Sequence, residues 1–398
     1  RQSEDGSHGT SQASGDRDPT TASSGSTTLT LSATVAGKTW AGGGVVHSVL
    51  EVAVIGAGQA GLSAAYHLVR LGFTPYDEVV VLDRNPAPGG AWQHRWDSLT
   101  MHDVHGIANL PGVPVPPSSD SERANAFVPS YFADYEKRFD LPVVRPVAVE
   151  SVREIAQGFE LQTSAGVYSA AAVVNATGTW DRPFIPWYPG IETFKGRQLH
   201  TADYAGAAEL AGQHVLVVGG GASAVQLLAE ISAVATTTWV TRRPPEWRTG
   251  DDFTPEYGRQ VVARVEERVR AGLPPRSVVS VTGLHLRPQE QAAWERGVYT
   301  RYPMFTRITP DGVEWADGRS EHIDTILWAT GFRADLAHLA PLHLRESSGG
   351  IRMNGTATVA DPRIHLVGYG PSASTIGANR AGFTAARALR DLLKSQAA

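Results

Sequence analysis

The chain has 398 residues with 41 Gly, 10 Trp and no Cys, and its 35 Lys+Arg stand against 40 Asp+Glu for a formal charge of −5. This length holds two or three domains of about 100–200 residues each, with full cores. The missing Cys excludes disulfide frameworks, thiolate metal sites and thiol redox or nucleophilic chemistry, the mild acidity argues against a nucleic-acid partner, and no apolar run reaches the roughly 18–20 residues of a membrane span.

Residues 1–47 come first. Ser, Thr and Gly fill 19 of the first 34 positions, too little apolar surface to offset the entropy of ordering, so a disordered tail is expected. It reads as an expression remnant or as translation upstream of a true start at Val45 or Val46, with a regulatory tail as the alternative. An apolar signal segment is lacking, and the chain is expected to be cytoplasmic.

Structure is expected from Val49. The run SVLEVAVIGAGQAGLSAAYHLVRLG predicts a buried strand, a glycine turn and a helix. In the turn Gly56-Ala57-Gly58-Gln59-Ala60-Gly61, the first glycine permits the bend and the second lets backbone reach a pyrophosphate. Gly61 lets the helix pack closely on the strand. The helix N-terminus then offers free N–H groups and positive dipole. A second strand ends at Asp83-Arg84, and Asp83 lies 22 residues past Gly61. A carboxylate there binds a ribose diol and repels a 2′-phosphate, which suits FAD or NAD. Gly89-Gly90-Ala91-Trp92 follows, a second close backbone approach with Trp92 as a wall.

The pattern recurs at HVLVVGGGASAVQLLAEISAVATTTWVTRR. The second turn runs Gly219-Gly220-Gly221-Ala222-Ser223-Ala224, with Ala224 small enough to replace the third glycine. Where the first unit carries Asp83, this one carries Arg242 and Arg243, whose guanidinium groups suit the 2′-phosphate of NADPH. Two dinucleotide sites of opposite charge imply that one nucleotide donates hydride to the other. The expected fold is α/β, with two Rossmann-like dinucleotide-binding domains.

Between the turns, Phe194, Gly196, His200 and Tyr204 form FxGxxxHxxxY. With them the chain resembles the FAD- and NADPH-dependent flavoprotein monooxygenases: flavin-containing monooxygenases, N-hydroxylases and Baeyer–Villiger enzymes. The resemblance implies that the FAD domain is discontinuous. It would occupy 48–182 and 323–398, around an NADPH domain at 183–322 with a helical insertion at about 251–311. The tripeptides Ala176-Thr177-Gly178 and Ala329-Thr330-Gly331 would mark the crossings. Val149 matches the relatives' adenine-contacting strand, and Gly368 and Ile376–Asn379 match the strand and helix approaching the flavin pyrimidine. His200 would lie where the domains meet.

His102 stands where flavin-containing relatives carry Asn beside the oxygen-reacting face, and Asp103 adjoins it. His102, Asp103 and His200 are therefore the catalytic candidates, and Trp92, Trp96, Trp187 and Trp247 the candidate pocket walls. His102 and His105 lack a third ligand, so no metal site is expected. The charged helices of the insertion read as solvated faces, placed to cover the active site or to form an oligomer contact. The resemblance implies hydride transfer from NADPH to FAD, then oxygen transfer through a flavin C4a-hydroperoxide to a nitrogen or sulfur centre of a small substrate. Dioxygen is the second substrate, and a homo-oligomer is compatible. A flavin reductase or oxidase without oxygen transfer, and a NADPH-sensing flavoprotein, are the alternatives.

Overall fold

The computed structural model describes residues 33–35, 38–40, 49–104, 106–248, 255–275, 284–286 and 288–397. Most of the expected tail and His105 lie outside them. Within the tail, Ala33–Val35 and Lys38–Trp40 pair as two short antiparallel strands, so this part of the segment has regular backbone where disorder is expected. Beyond Gly44 the chain forms one compact unit built on two parallel sheets.

The first sheet begins with Leu50–Ile55, whose residues Val52–Val54 are fully buried. β-branched residues buried on both faces are what a parallel strand between helical layers requires. Val79–Leu82 and Val143–Val144 extend it on one side, and Gly166–Asn175 and Ile364–Leu366 on the other, all parallel. The hairpin Val149–Ile155 and Gly158–Thr163 joins the first half of Gly166–Asn175 antiparallel. One face is covered by the helices Gln59–Arg70, Ala124–Arg138 and Thr375–Ala397, which share a core with the sheet through Leu62, Phe132 and Leu389. The last helix lies on the first: at Gly382 a β-carbon would come 2.7 Å from the Ala64 amide nitrogen.

The second sheet has five parallel strands in the spatial order Arg301–Tyr302, Thr236–Val240, His214–Val218, Thr325–Trp328 and Arg197–His200. Helix Ala222–Ile231 packs on it through Val225, Leu228 and Ile231. Two of the expected boundaries shift. Strand Thr325–Trp328 pairs with His214–Val218, so the return to the first sheet falls after Trp328, not at residue 323. Strand Arg301–Tyr302 pairs with Thr236–Val240, so the insertion ends before residue 301, not near 311.

The described parts of the insertion are docked. Helix Pro255–Arg270 buries Val269 among Leu336, Ile351 and Tyr369 of the first unit, and Helix Pro288–Glu295 buries Ala293 with Trp239 and Tyr299 of the second. On the first of these helices, Arg264 and Arg270 face solvent, and Arg270 pairs with Glu266 at 2.7 Å. No helix among the described residues is long and apolar enough to cross a membrane.

Candidate functional site

The first glycine turn forms the floor of a cavity of about 350 Å³. Gly56 has φ +98°, and a β-carbon there would sit 2.8 Å from the Ala176 carbonyl oxygen, so only glycine fits between turn and neighbouring strand. At Gly61 a β-carbon would lie 1.9 Å from the Gly56 carbonyl oxygen, which is why the helix can start against the turn. Gly90, at φ +52°, crosses above the turn within 2.9 Å of the Gly58 α-carbon, measured from its would-be β-carbon. Helix Gln59–Arg70 begins without a side-chain cap or an acid in its first turn, leaving its amide hydrogens and dipole for an anion. Gly56, Ala57, Gly58, Ala60, Asp83, Arg84, Gly90, Trp92, Val149, Ala176, Thr177, Gly178 and Gly368 all line this cavity. Gly61 packs beneath it. Ile376 is 60% exposed and absent from the lining, where Thr375 and Ala378 stand instead.

Asp83 is 2% exposed and held rather than free. Its Oδ2 accepts from Arg145 at 3.2 Å, and its Oδ1 accepts from the Asn85 amide at 3.1 Å. Arg145 also grips Glu136 through two bonds of 2.6 and 2.8 Å. Burial opposes the Arg145 charge, but Glu136 and Asp83 outweigh it and raise its pKa. His338, also in the lining, is pushed down to about 4 by burial, so its neutral ring donates from Nε2 to Asn175 Oδ1 at 2.7 Å.

The two Ala-Thr-Gly tripeptides are where the sheets join. Ala176 N donates to Ile55 O at 2.8 Å, and Ala329 N donates to Val218 O at 2.8 Å, so each tripeptide runs beside the strand that feeds its own glycine turn. The two crossings also hold each other. Phe184 N donates to Gly331 O at 2.9 Å, Asp335 N to Gly178 O at 3.0 Å, and Trp180 stacks on Phe332 at 5.1 Å. Arg84 pairs with Asp181, and Arg182 with Asp335 at 3.3 Å. His200, 1% exposed, accepts from Ala202 N at Nδ1 and donates from Nε2 to Gly331 O at 3.0 Å. Burial lowers its pKa. Both ring nitrogens are committed, so His200 braces the second crossing.

The second turn repeats the first. Gly219 has φ +142°, and a β-carbon there would meet the Ala329 carbonyl oxygen at 2.1 Å. Gly221 leads into helix Ala222–Ile231, which begins with Ala222 and Ser223, again lacks a side-chain cap or early acid, and buries Ala224 completely. Arg242 and Arg243 are exposed just past the adjoining strand. A third arginine, missed in the sequence, shapes their turn: Arg301 donates from Nε to Thr241 Oγ1 at 2.8 Å and from its terminal nitrogen to Thr241 O at 3.1 Å. Its only sequence signal is a basic residue on a strand 60 positions away.

The expected oxygen-side residues fall elsewhere. His102 and Asp103 do not line the cavity. His102 is exposed at the side chain, 3.8 Å from Asp120; Asp103 accepts from Thr100 Oγ1 at 2.8 Å, and its carbonyl accepts from Gln226 at 3.1 Å. That loop ties the units together. Of the four candidate walls only Trp92 lines the cavity. Trp96 is buried against Tyr204, Trp187 is 68% exposed, and Trp247 joins Trp294 and Tyr299 in a separate cluster. Trp180, Phe132 and Phe332 are the further aromatic walls. Among the described residues no cluster of three metal-ligating side chains occurs.

The pattern of the family described as "Pyridine nucleotide-disulphide oxidoreductase" matches residues 53–368. A solved flavin-containing monooxygenase from Stenotrophomonas maltophilia is 36% identical, with a TM-score of 0.75 over 87% of this chain and 99% of that one. The oxidoreductase CzcO-like protein of Geobacillus kaustophilus is 26% identical over 72% of this chain and 82% of that protein. A Baeyer-Villiger monooxygenase of Streptomyces coelicolor is 34% identical over 51% of this chain and 39% of that protein.

Proposed function

Because the chain belongs to the pyridine nucleotide-disulphide oxidoreductase family and sits among its flavin monooxygenases, we propose that it oxidises NADPH through FAD and uses dioxygen to oxygenate a small organic molecule at nitrogen or sulfur. Thiol–disulfide chemistry is closed to it, since it has no Cys. One observation carries the reading. The same glycine-to-crossing contact occurs twice, at Gly56 with Ala176 and at Gly219 with Ala329, and the strands that follow end in opposite charges, Asp83 and Arg242-Arg243.

The first cradle fits a flavin dinucleotide. Gln59 uses its amide nitrogen on Ala108 O and Asn379 Oδ1, at 3.1 and 3.0 Å, which leaves its Oε1 buried with no donor. A buried acceptor in that state calls for a donor from a ligand. The start of helix Gln59–Arg70 would hold the diphosphate, Asp83 the ribose diol, and the start of helix Thr375–Ala397 would face the flavin ring. In the second cradle, Gly219 and Gly221 would admit the NADPH diphosphate to the start of helix Ala222–Ile231, with Arg242 and Arg243 on the 2′-phosphate. Bound FAD supplies hydride acceptance and oxygen activation. The protein's part is to orient, to supply local charge, and to exclude water with Trp92, Phe132, Trp180 and Phe332.

A second reading rests on a specific observation. His102, placed where the resemblance puts an Asn beside the oxygen-reacting face, is exposed and outside the cavity lining. The chain would then be an NADPH oxidase that reduces oxygen to hydrogen peroxide. With NADPH and methyl p-tolyl sulfide, oxygenation predicts sulfoxide in proportion to NADPH consumed. Consumption that appears wholly as hydrogen peroxide, with this sulfide and with (phenylthio)acetate alike, selects the oxidase.

A further inference from the structure

Arg95 follows the turn Gly90–His94, and its charge meets aromatic rings but no carboxylate among the described residues. Its guanidinium carbon lies 4.6 Å from the Trp180 ring centre and 5.6 Å from that of Trp92. All three residues line the cavity. Its Nε is buried without a hydrogen-bond partner, and no carboxylate among the described residues pairs with it. The nearby acids are engaged elsewhere: Asp97 with Arg123 and Asn125, Asp181 with Arg84, Asp335 with Arg182. Burial lowers the Arg95 pKa to about 10, which still leaves it charged at neutral pH. An uncompensated cation inside a cavity is costly unless a ligand completes it.

Its surroundings define that ligand. Indole rings favour the faces of a guanidinium, which leaves the in-plane N–H groups for a planar anion with two oxygens. The two dinucleotide diphosphates already have helix starts at Gln59 and Ala222 to receive them. Arg95 stands instead at the joint between the units, where Trp180 stacks on Phe332 and Phe332 meets His200 edge-on at 4.8 Å.

We propose that Arg95 is a carboxylate subsite for the substrate, so that this chain oxygenates small, ring-bearing organic acids held by their acid group. The inference rests on the monooxygenase reading. For a thioether acid the balance is NADPH, a proton, dioxygen and the thioether giving NADP⁺, water and the sulfoxide, with the carboxylate unchanged.

The test uses the full chain loaded with FAD, titrated with (phenylthio)acetate and with its methyl ester, following the flavin absorbance and the bound probe by equilibrium dialysis. The wild type should bind the acid at least about tenfold more tightly than the ester. Arg95→Gln should remove that preference by weakening only the acid, and Arg95→Lys should restore part of it. Equal binding of acid and ester by the wild type overturns the proposal. So does loss of flavin from Arg95→Gln, which would assign the cation to the cofactor, and so does a raised KM for NADPH with acid preference intact. A wild type that takes up no flavin instead defeats the underlying flavoenzyme reading, a separate result.

Discussion

The two glycine turns share a backbone and hold their charges in opposite ways. Asp83 is buried and clamped by Arg145 and Asn85, whereas Arg242 and Arg243 lie exposed with only their turn shaped, by Arg301. On the proposed function, the difference follows from the groups each turn would read. A ribose diol offers two weak, directional donors, so its acceptor must already be oriented and dry. A 2′-phosphate is doubly charged, and exposed guanidinium groups can meet it from solvent.

The sharpest way to break this comparison is Asp83→Ala. It removes the proposed diol acceptor and leaves the Arg145–Glu136 pair without its second acid. We expect colourless protein on purification and a loss of about 3–5 kcal/mol in urea unfolding, the usual cost of breaking a buried ion pair. Intact flavin content in this variant would refute the assignment of the first cradle.

Acid should act next, and mainly on the first unit. His338 and His365 are both pushed down to about 4 by burial, from an ordinary value near 6.5. The unfolded rings take up protons near pH 6.5 while the folded ones resist to about pH 4, so the unfolded state binds more protons in that window. Stability is full above the unfolded value and falls as pH drops through the window, by up to about 3 kcal/mol per histidine. Urea melts at pH 7.5 and 5 should show the loss, and flavin release should accompany it. His338→Phe should flatten part of the profile.

The mildest effect belongs to the exposed charges. Arg242→Ala with Arg243→Ala should raise the KM for NADPH by about 10–100-fold, as expected for lost charge-assisted bonds, while flavin content stays unchanged. Steady-state kinetics with NADPH and NADH would show the preference collapsing. Unaltered selectivity would mean that the second turn reads its nucleotide by other groups.

Much of this was legible in residues close together in the chain. Gly56, Gly58 and Gly61 lie between a strand and a helix, and Asp83 lies one strand further. The resemblance marked both Ala-Thr-Gly tripeptides, and the structure adds why they recur: each carbonyl of Ala176 and Ala329 touches the first glycine of its turn. Arg145 was not legible, because it meets Asp83 across 62 positions and no motif surrounds it. His102, singled out by the resemblance, and Trp96, Trp187 and Trp247 stand outside the cavity lining, since local sequence does not state which face of a loop turns inward.

The sequence by itself determined the two nucleotide units and the sign of the charge at the end of each, because turns, strands and helix starts depend on near neighbours. Tertiary structure alone decided which charges are answered. Glu136 reaches Arg145 and Arg145 reaches Asp83 only through packing, and the same packing closes two tryptophans over Arg95 without bringing it an acid from the described residues. Desolvation and pairing are properties of the folded interior, set by residues brought together from distant parts of the chain.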